Sequence, residues 1–477
     1  MNLVVVMMDT FRGDCLGFLG ERPVKTPNID RFAKSATTFA RSYCASWPTI
    51  PNRLDLLTGL TGDPFNGWAP LPWDVETFPK RLWEKGYATQ LVHDTPHLIN
   101  FGYGYDRPFH AWHMVRGAEV DRWNAGADMS EINCDPEKLK PYLRETYLAQ
   151  YLRNRSRYRG EKDEQCAKVF RAAEEFLEQL SGHKKFLLWV DCFDPHEPWD
   201  PPQRFIDMYD DGYEGDDLLF YPDFDRVTTR EIAHVRTLYM AKATMVDHYL
   251  GKFLRKIRRL GLEESTAVLL LSDHGAYVGD RGWTHKRPPL YEEITRVVTM
   301  VRLPDGTGAG KMVRALIQPH DITATLLDLA DAVPLPDLAG RSVVPLMQEM
   351  GEGREIVFSG MRPGAYGASE VTVTTARWTL IVSPKTPEKE LYDLENDPRQ
   401  TRNVASNHPS TVRDLHGALL DEMRRRNTPS NIVGWFERGD ITRLVTDPSE
   451  LAGLDRWMNT TRLRPEDFLQ ATPRRRQ

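Results

Sequence analysis

The sequence predicts an α/β fold. It is read as a large doubly wound, mostly parallel sheet flanked by helices, with a smaller C-terminal α+β subdomain carrying an antiparallel sheet. Three observations predict it: short apolar runs that end in polar residues, helical signals between those runs, and a change to strand-like alternation after about Gly360.

The runs are LVVVMMD ending at Asp9, YATQLVHD ending at His93 and Asp94, KFLLWVDCFDPH ending at Asp194 and His196, and AVLLLSDHG ending at Asp273 and His274. Continuous stretches of β-branched residues and leucine are the mark of strands buried on both faces of a parallel sheet. Between them, TPNIDRFAKSA opens a helix with Thr26 as cap and Pro27 at its first position. The segments PQRFIDMY and HVRTLYMAKATMVDHYLGKFLRKIRRLG are helical in period, and the second stops at Gly261. Strand and helix in alternation give a sheet covered on both sides, with ligands gathering beyond the carboxyl ends of the strands. The acids and histidines above all fall at such ends.

Within 477 residues, 1–360 are read as the catalytic α/β part, 361–426 as the C-terminal subdomain and 427–477 as an extended tail. The alternating SEVTVTTARWTLIVS gives paired antiparallel strands, and HPSTVRDLHGALLDEMRRR a final helix. The aromatic and charged stretch 100–165 is read as an insertion over the site or an oligomer contact. Hydrophobic residues at 40% and charged residues at 27% are ordinary for a globular protein. With 62 basic against 68 acidic residues, neither nucleic acid nor a membrane surface is the expected partner. Five scattered cysteines without C-x-x-C spacing, no secretory leader and no spanning run lead to the expectation of a cytoplasmic protein. A homo-oligomer is expected from the aromatic insertion and the polar tail.

Asp9, Asp273 and His274 are the candidate metal ligands, because carboxylates and an imidazole at strand ends suit a divalent ion. Taken singly, Asp9 reads more simply as a turn cap and His274 as a satisfied interior histidine; it is their joint placement at two strand ends that makes the metal reading. In SWPTIPNRLDLLTG, Pro51 suits a helix's first turn and places Thr49 just before it, where backbone N–H groups and the dipole favour an anion. Ligation to a divalent ion would make the Thr49 hydroxyl easier to deprotonate. Arg53, one turn on, can reach the same anion with its planar fork. Capping and nucleophilic roles are compatible, and Thr49 on its own reads as a plain N-cap.

The chain resembles the sulfatase-like branch of the alkaline phosphatase superfamily. The resemblance rests on MMDTFRGD, TPNIDRFAKSATTFARSY, TIPNRLDLLTGL, SDHGAYVGDRGWTHK and ELYDLENDPRQTRNVA, and so spans most of the chain. In that family the motif C-x-P-x-R carries a cysteine converted to formylglycine; here Thr49-Ile50-Pro51-Asn52-Arg53 fills the pattern with threonine. The resemblance implies Asp9, Thr49, Asp273 and His274 as metal ligands, Thr49 as nucleophile and Arg53 as its stabiliser. It implies Lys286 in WTHK as a contact to the substrate's anionic oxygens, and His196 in DPHEPW as the residue that protonates the leaving group. A surface charge and a loop hydrogen-bonder are the plain alternatives for these two.

Three departures bear on the reaction. The first strand ends in Asp9-Thr10 rather than two aspartates, and the later pair is Asp-His rather than Asp-Asn; both resemble phosphonate monoester hydrolases and phosphodiesterases. They favour Mn2+ or Zn2+, with Ca2+ or Mg2+ as alternatives. The family's lysine–histidine pair is replaced by HDTPH, so His93 and His97 are expected to line the substrate pocket, with no individual role assigned to them or to Asp94. A single hydroxyl cannot expel sulfate from carbon as a formylglycine hydrate does, so water must attack the phosphorus or sulfur of any covalent intermediate. The expected activity is hydrolysis of phosphate diesters or phosphonate monoesters through a phospho-threonine. A sulfuric ester hydrolase is the alternative, and a non-catalytic anion-binding relative the third reading.

Overall fold

The computed structural model describes residues 1–61, 68–209, 212–360 and 370–439. Its large sheet contains β1 (Asn2–Met8), β2 (Thr37–Phe39), β3 (Ala88–His93), β4 (Ala111–Met114), β5 (Phe186–Cys192), β6 (Thr266–Leu271), β7 (Thr299–Arg302) and β8 (Met312–Val313). Among the described residues the order is β8-β2-β7-β6-β1-β5-β3-β4. The five strands from β6 to β4 are parallel, and β7 runs against both neighbours. In the centre, Val6 lies level with Val190 on one side and Leu270 on the other.

The sheet is covered on both faces because its strands are apolar on both. From β1, Val4, Val6 and Met8 enter a core with α1 (Pro27–Ala33), α4 (Gln165–Leu180) and α5 (Thr229–Arg259). Leu3, Val5 and Met7 point the other way, into a core with α2 (Thr49–Thr58), α3 (Phe78–Glu84) and α6 (Pro319–Leu329). Alternate residues of one strand thus serve two helical layers, as the continuous apolar runs require.

Helix ends differ from the sequence reading in instructive ways. Thr26 does precede α1, but its hydroxyl turns to Asp30 Oδ1 at 2.8 Å and accepts from Gly17 N. The free N–H groups of Asn28 and Ile29 are taken by Asp247, from α5. Helix α5 begins ahead of the periodic run, at a capping box between Thr228 and Glu231, and ends before Gly261 at φ 66°.

The C-terminal sheet is antiparallel, in the order β9 (Ile356–Gly360), β10 (Val371–Thr375), β11 (Trp378–Val382), β12 (Lys389–Asp393). Strand β9 lies before the boundary drawn after Gly360, yet it pairs along its length with β10. One face buries Val373, Leu380, Val382 and Leu391 under α7 (Pro409–Arg425) and α8 (Ser430–Arg438). The other face sends Ile381 and Tyr392 against Trp47, Tyr277 and Leu290 of the larger part.

Two expectations need correction. The tail read from 427 is not featureless at its start: Ser430–Arg438 is helical and sends Ile432, Val433, Trp435 and Phe436 into the core. The helix is only nine residues long, too short for periodicity to announce it. The rest of the tail, 440–477, falls outside the described residues. The stretch 100–165 is not wholly an insertion, because Ala111–Met114 forms the sheet's edge strand beside β3. Beyond it, Leu139, Leu143, Leu148 and Tyr151 pack with Leu219 and Phe220.

Trp435 is 2% exposed in the C-terminal core. Trp435→Ala is expected to cost about 3–5 kcal/mol in urea unfolding. A loss under about 0.5 kcal/mol, the scale of a surface substitution, would show that α8 is not part of the cooperative unit.

Candidate active site

Three central strands end in carboxylates. Asp9 follows β1, Asp191 is the penultimate residue of β5, and Asp273 stands two residues beyond β6; all are fully or almost fully buried. One guanidinium joins them. Arg53, on α2, donates from Nε and Nη2 to the two oxygens of Asp191 at 2.8 and 2.9 Å, from Nη1 to Asp273 at 2.7 Å and from Nη2 to Asp9 at 3.1 Å. Buried carboxylates are tolerated only with such compensation. Burial opposes the charge on Arg53, yet Asp191, Asp273 and Asp9 hold its pKa well above the usual value. The side chain that the sequence assigns to the substrate anion therefore binds three protein carboxylates.

The carboxylates are held in turn. Thr10 sits in the left-handed region at φ 63°, which lets its N–H reach Asp273 Oδ1 at 2.9 Å and its hydroxyl reach Asp9 Oδ1 at 2.8 Å. His274 N also donates to Asp273 Oδ1, and Asn52 Nδ2 to the Asp273 carbonyl. Burial, then the Asp273 charge, pushes the Asp9 carboxyl well up. Burial acts on Asp273 too, but His274 and Arg53 outweigh it and hold that carboxyl down.

Thr49 is the first residue of α2 rather than the residue before it, a place taken by Pro48. Its Oγ1 lies 3.4 Å from His274 Nε2. His274 Nδ1 is 2.9 Å from the Gly275 carbonyl, so Nδ1 carries the proton and Nε2 keeps its lone pair. Burial holds this imidazole below its ordinary pKa, in the neutral form. Nε2 stands 3.5 Å from Asp273 and 4.0 Å from Asp9. Asp9, Asp273 and His274 offer ligand atoms within 4.8 Å of one another, and the Thr49 hydroxyl adjoins them. Two carboxylates, one of which ionises reluctantly, and an imidazole with a free lone pair fit a divalent ion in donor type.

Lys286 and His196 form the neighbouring part of the site. Lys286 Nζ is 2.6 Å from His196 Nε2 and 2.5 Å from Glu197 Oε1. His196 Nδ1 lies 2.6 Å from the Glu197 carbonyl, so Nε2 accepts from the ammonium and the ring is neutral. Burial drives the His196 pKa well down, against the pull of the Glu197 charge. The ring stacks on Phe193 at 3.9 Å. Glu119, His196 and Glu197 form a second acid–histidine group, but the Lys286 ammonium already supplies its cation.

The remaining candidates lie further out. His97 Nε2 meets Glu119 Oε2 at 3.0 Å, and its ring stands edge-on to Trp68 and Phe193. It thus joins the outer side of the Lys286 group. His93 is buried, with Nδ1 on the Thr95 carbonyl at 3.2 Å and no hydrogen-bond partner for Nε2 among the described residues. Burial lowers its pKa to about 4 against the pull of Asp191, which lies level with it on the neighbouring strand. Asp94 accepts from Phe193 N, and Asp194 pairs with Lys242 at 2.9 Å, so both serve the scaffold.

Sequence reasoning missed Asp191, Thr10, Glu119 and Glu197. Asp191 had a signal, a carboxylate inside the apolar run FLLWVDC, where burial demands a partner. Glu119 had none, since its partners come from distant segments.

Comparison with known proteins identifies the family. Residues 1–332 match the family model described as Sulfatase, and residues 279–427 one described as N-sulphoglucosamine sulphohydrolase, C-terminal. An arylsulfatase of Clostridium perfringens (strain 13 / Type A) is 25% identical, over 89% of this chain and 95% of its own. The phosphonate monoester hydrolase of Agrobacterium radiobacter superposes with a TM-score of 0.73 at 21% identity, covering 89% of this chain and 95% of that one. The phosphonate monoester hydrolase SpPMH from Silicibacter pomeroyi gives 0.71 at 21% identity, with the same coverage. With a family match over well more than half its length and strand ends that converge on one buried acid–histidine site, the chain belongs to the sulfatase family of hydrolases.

Proposed function

We propose that the protein hydrolyses a singly charged oxyanion ester, a phosphate diester or a phosphonate monoester, with Thr49 as the nucleophile. The observation that carries this reading is Thr49, 1% exposed, with its hydroxyl 3.4 Å from His274 Nε2. A divalent ion held by Asp9, Asp273, His274 and Thr49 would neutralise the ester oxygens and ease deprotonation of the hydroxyl, with Mn2+ or Zn2+ best suited to this mixed oxygen and nitrogen set.

In the first step Thr49 loses its hydroxyl proton to solvent and its Oγ bonds to phosphorus as the ester oxygen departs, leaving a phospho-threonine. The leaving oxygen takes a proton from the Lys286–His196 pair, in which the ammonium holds the proton and the neutral imidazole accepts it. This differs from the sequence expectation that His196 itself is the acid. Water then attacks phosphorus in line and frees Thr49. Charge supports the substrate class: Arg53 spends its donors on three carboxylates, so little positive charge remains for a doubly charged group.

A second reading, sulfuric ester hydrolysis, is supported by the Sulfatase family model and by the arylsulfatase relative. A sulfate ester also carries one charge, and the same hydroxyl would attack sulfur. Assays on nitrophenyl phosphate diester, phosphonate and sulfate esters separate the two.

Thr49→Ala is expected to lower kcat at least roughly a hundredfold on the preferred ester. Equal rates for variant and parent would end the nucleophile assignment, and no turnover by either would favour the anion-binding reading. Removal of metal by a chelator is expected to lower the unfolding temperature. Mn2+ or Zn2+ restored at roughly a hundred times Kd should return about 2.7 kcal/mol of stability. Asp273→Ala should show no such response, and a parent protein indifferent to both ions would remove the metal site.

A further inference from the structure

Glu197 has no place in the reaction as set out above, yet it touches both members of the proton-donating pair. Its Oε1 accepts from Lys286 at 2.5 Å, its carbonyl accepts from His196 Nδ1 at 2.6 Å, and the residue is 1% exposed. Its Oε2 meets no hydrogen-bond partner among the described residues and lies 3.4 Å from His196 Nδ1. A fully buried carboxylate beside a lysine that faces the substrate cancels that lysine's charge where it counts. Arg53 is cancelled likewise by Asp9, Asp191 and Asp273. Neither side-chain cation therefore has spare charge for a second negative charge on the substrate.

We propose that Glu197 sets the charge specificity of the pocket: by neutralising Lys286 it selects singly charged esters and rejects doubly charged ones. This rests on the proposed function for the identity of the site. It adds the residue that decides between ester classes, one which the sequence analysis left without a role. Glu197 acts through Lys286 rather than on the reacting atoms, so it is a positioning and specificity residue.

The test is a ratio. With Mn2+ saturating and at about pH 8, kcat/KM is measured on nitrophenyl phosphate, a dianion, and on bis-nitrophenyl phosphate, a monoanion with the same leaving group. Glu197→Gln is expected to raise the dianion-to-monoanion ratio about tenfold or more, the scale of one unit charge at close range in a partly buried site. Glu197→Asp should keep the parent ratio. The double variant with Lys286→Gln should return to within about threefold of the parent, since the two charges are removed together. A merely structural carboxylate would depress both substrates alike and leave the ratio unmoved, which overturns the proposal.

Should Glu197→Gln fail to fold, Lys286→Gln alone decides: the ratio must fall, and an unchanged ratio overturns the proposal. Calorimetric Kd values for methyl phosphate and dimethyl phosphate, with Mn2+ present, give a second readout that needs no turnover. A parent that prefers dimethyl phosphate, with the preference lost in Glu197→Gln, supports the proposal even if no ester is hydrolysed, in which case the catalytic reading alone fails. Equal preference in parent and variant overturns it whatever the rates.

Discussion

The arrangement of the site depends on one interaction, the Arg53 guanidinium gripping three buried aspartates. β6, β1 and β5 are adjacent, and each brings a carboxylate to the same end of the sheet. Three such groups away from water would repel one another and carry a large desolvation cost without a cation among them. Arginine suits this task where lysine would not, because its rigid fork presents donors in several directions at once. The grip also fixes α2 against the strand ends. Thr49 lies four residues before Arg53, on the same side of the helix, so anchoring the arginine places the hydroxyl beside His274. A second tie holds the turn before the helix: Ser46 N and Oγ both donate to Asp55, at 2.7 and 2.8 Å.

Beside the site, Thr10 at φ 63° and His285 at φ 65° adopt the left-handed region without being glycine. Such conformations cost about 1–3 kcal/mol each and persist where surroundings impose them. Thr10 gains two hydrogen bonds, to Asp273 and to Asp9. His285 is clamped between Trp199 and Tyr221, with ring centroids at 4.4 and 4.5 Å, and the next residue is Lys286. Both turns set the direction of a neighbouring functional side chain, Asp9 in one case and Lys286 in the other. Part of the offset comes from residues far away in sequence, Asp273 for Thr10 and Trp199 and Tyr221 for His285.

How much of this was legible in the sequence follows from the range of each interaction. Strands β1, β5 and β6 announce themselves because burial on both faces demands unbroken apolar residues, and the strand-end rule then locates Asp9, Asp273 and His274. In VDCFDPH the rule pointed to Asp194, after the run, whereas the site uses Asp191 within it; Asp194 is claimed by Lys242 from α5. Nothing local separates those two aspartates, since the choice is made by which cation packs nearby. Arg53 was recognised as functional but assigned to the substrate, because three carboxylate partners from three strands leave no trace around residue 53. Strand β12 was likewise hidden, since the charged residues of KELYD interrupt the apolar alternation while Leu391 faces the core.

His274 and His196 show how one local device yields two chemistries. Each donates Nδ1–H to the backbone carbonyl of the next residue, Gly275 at 2.9 Å and Glu197 at 2.6 Å, and so presents a bare Nε2 to the site. Burial keeps both rings neutral. What Nε2 meets then decides the role. For His274 it is two carboxylates and a hydroxyl, a setting that calls for a metal ion. For His196 it is an ammonium, so the lone pair takes a hydrogen bond from Lys286. The carboxylate that follows His196 completes the distinction, because its Oε1 accepts from the same ammonium that the His196 lone pair meets. The two halves of the site therefore differ less in their histidines than in the cation each histidine is set to face.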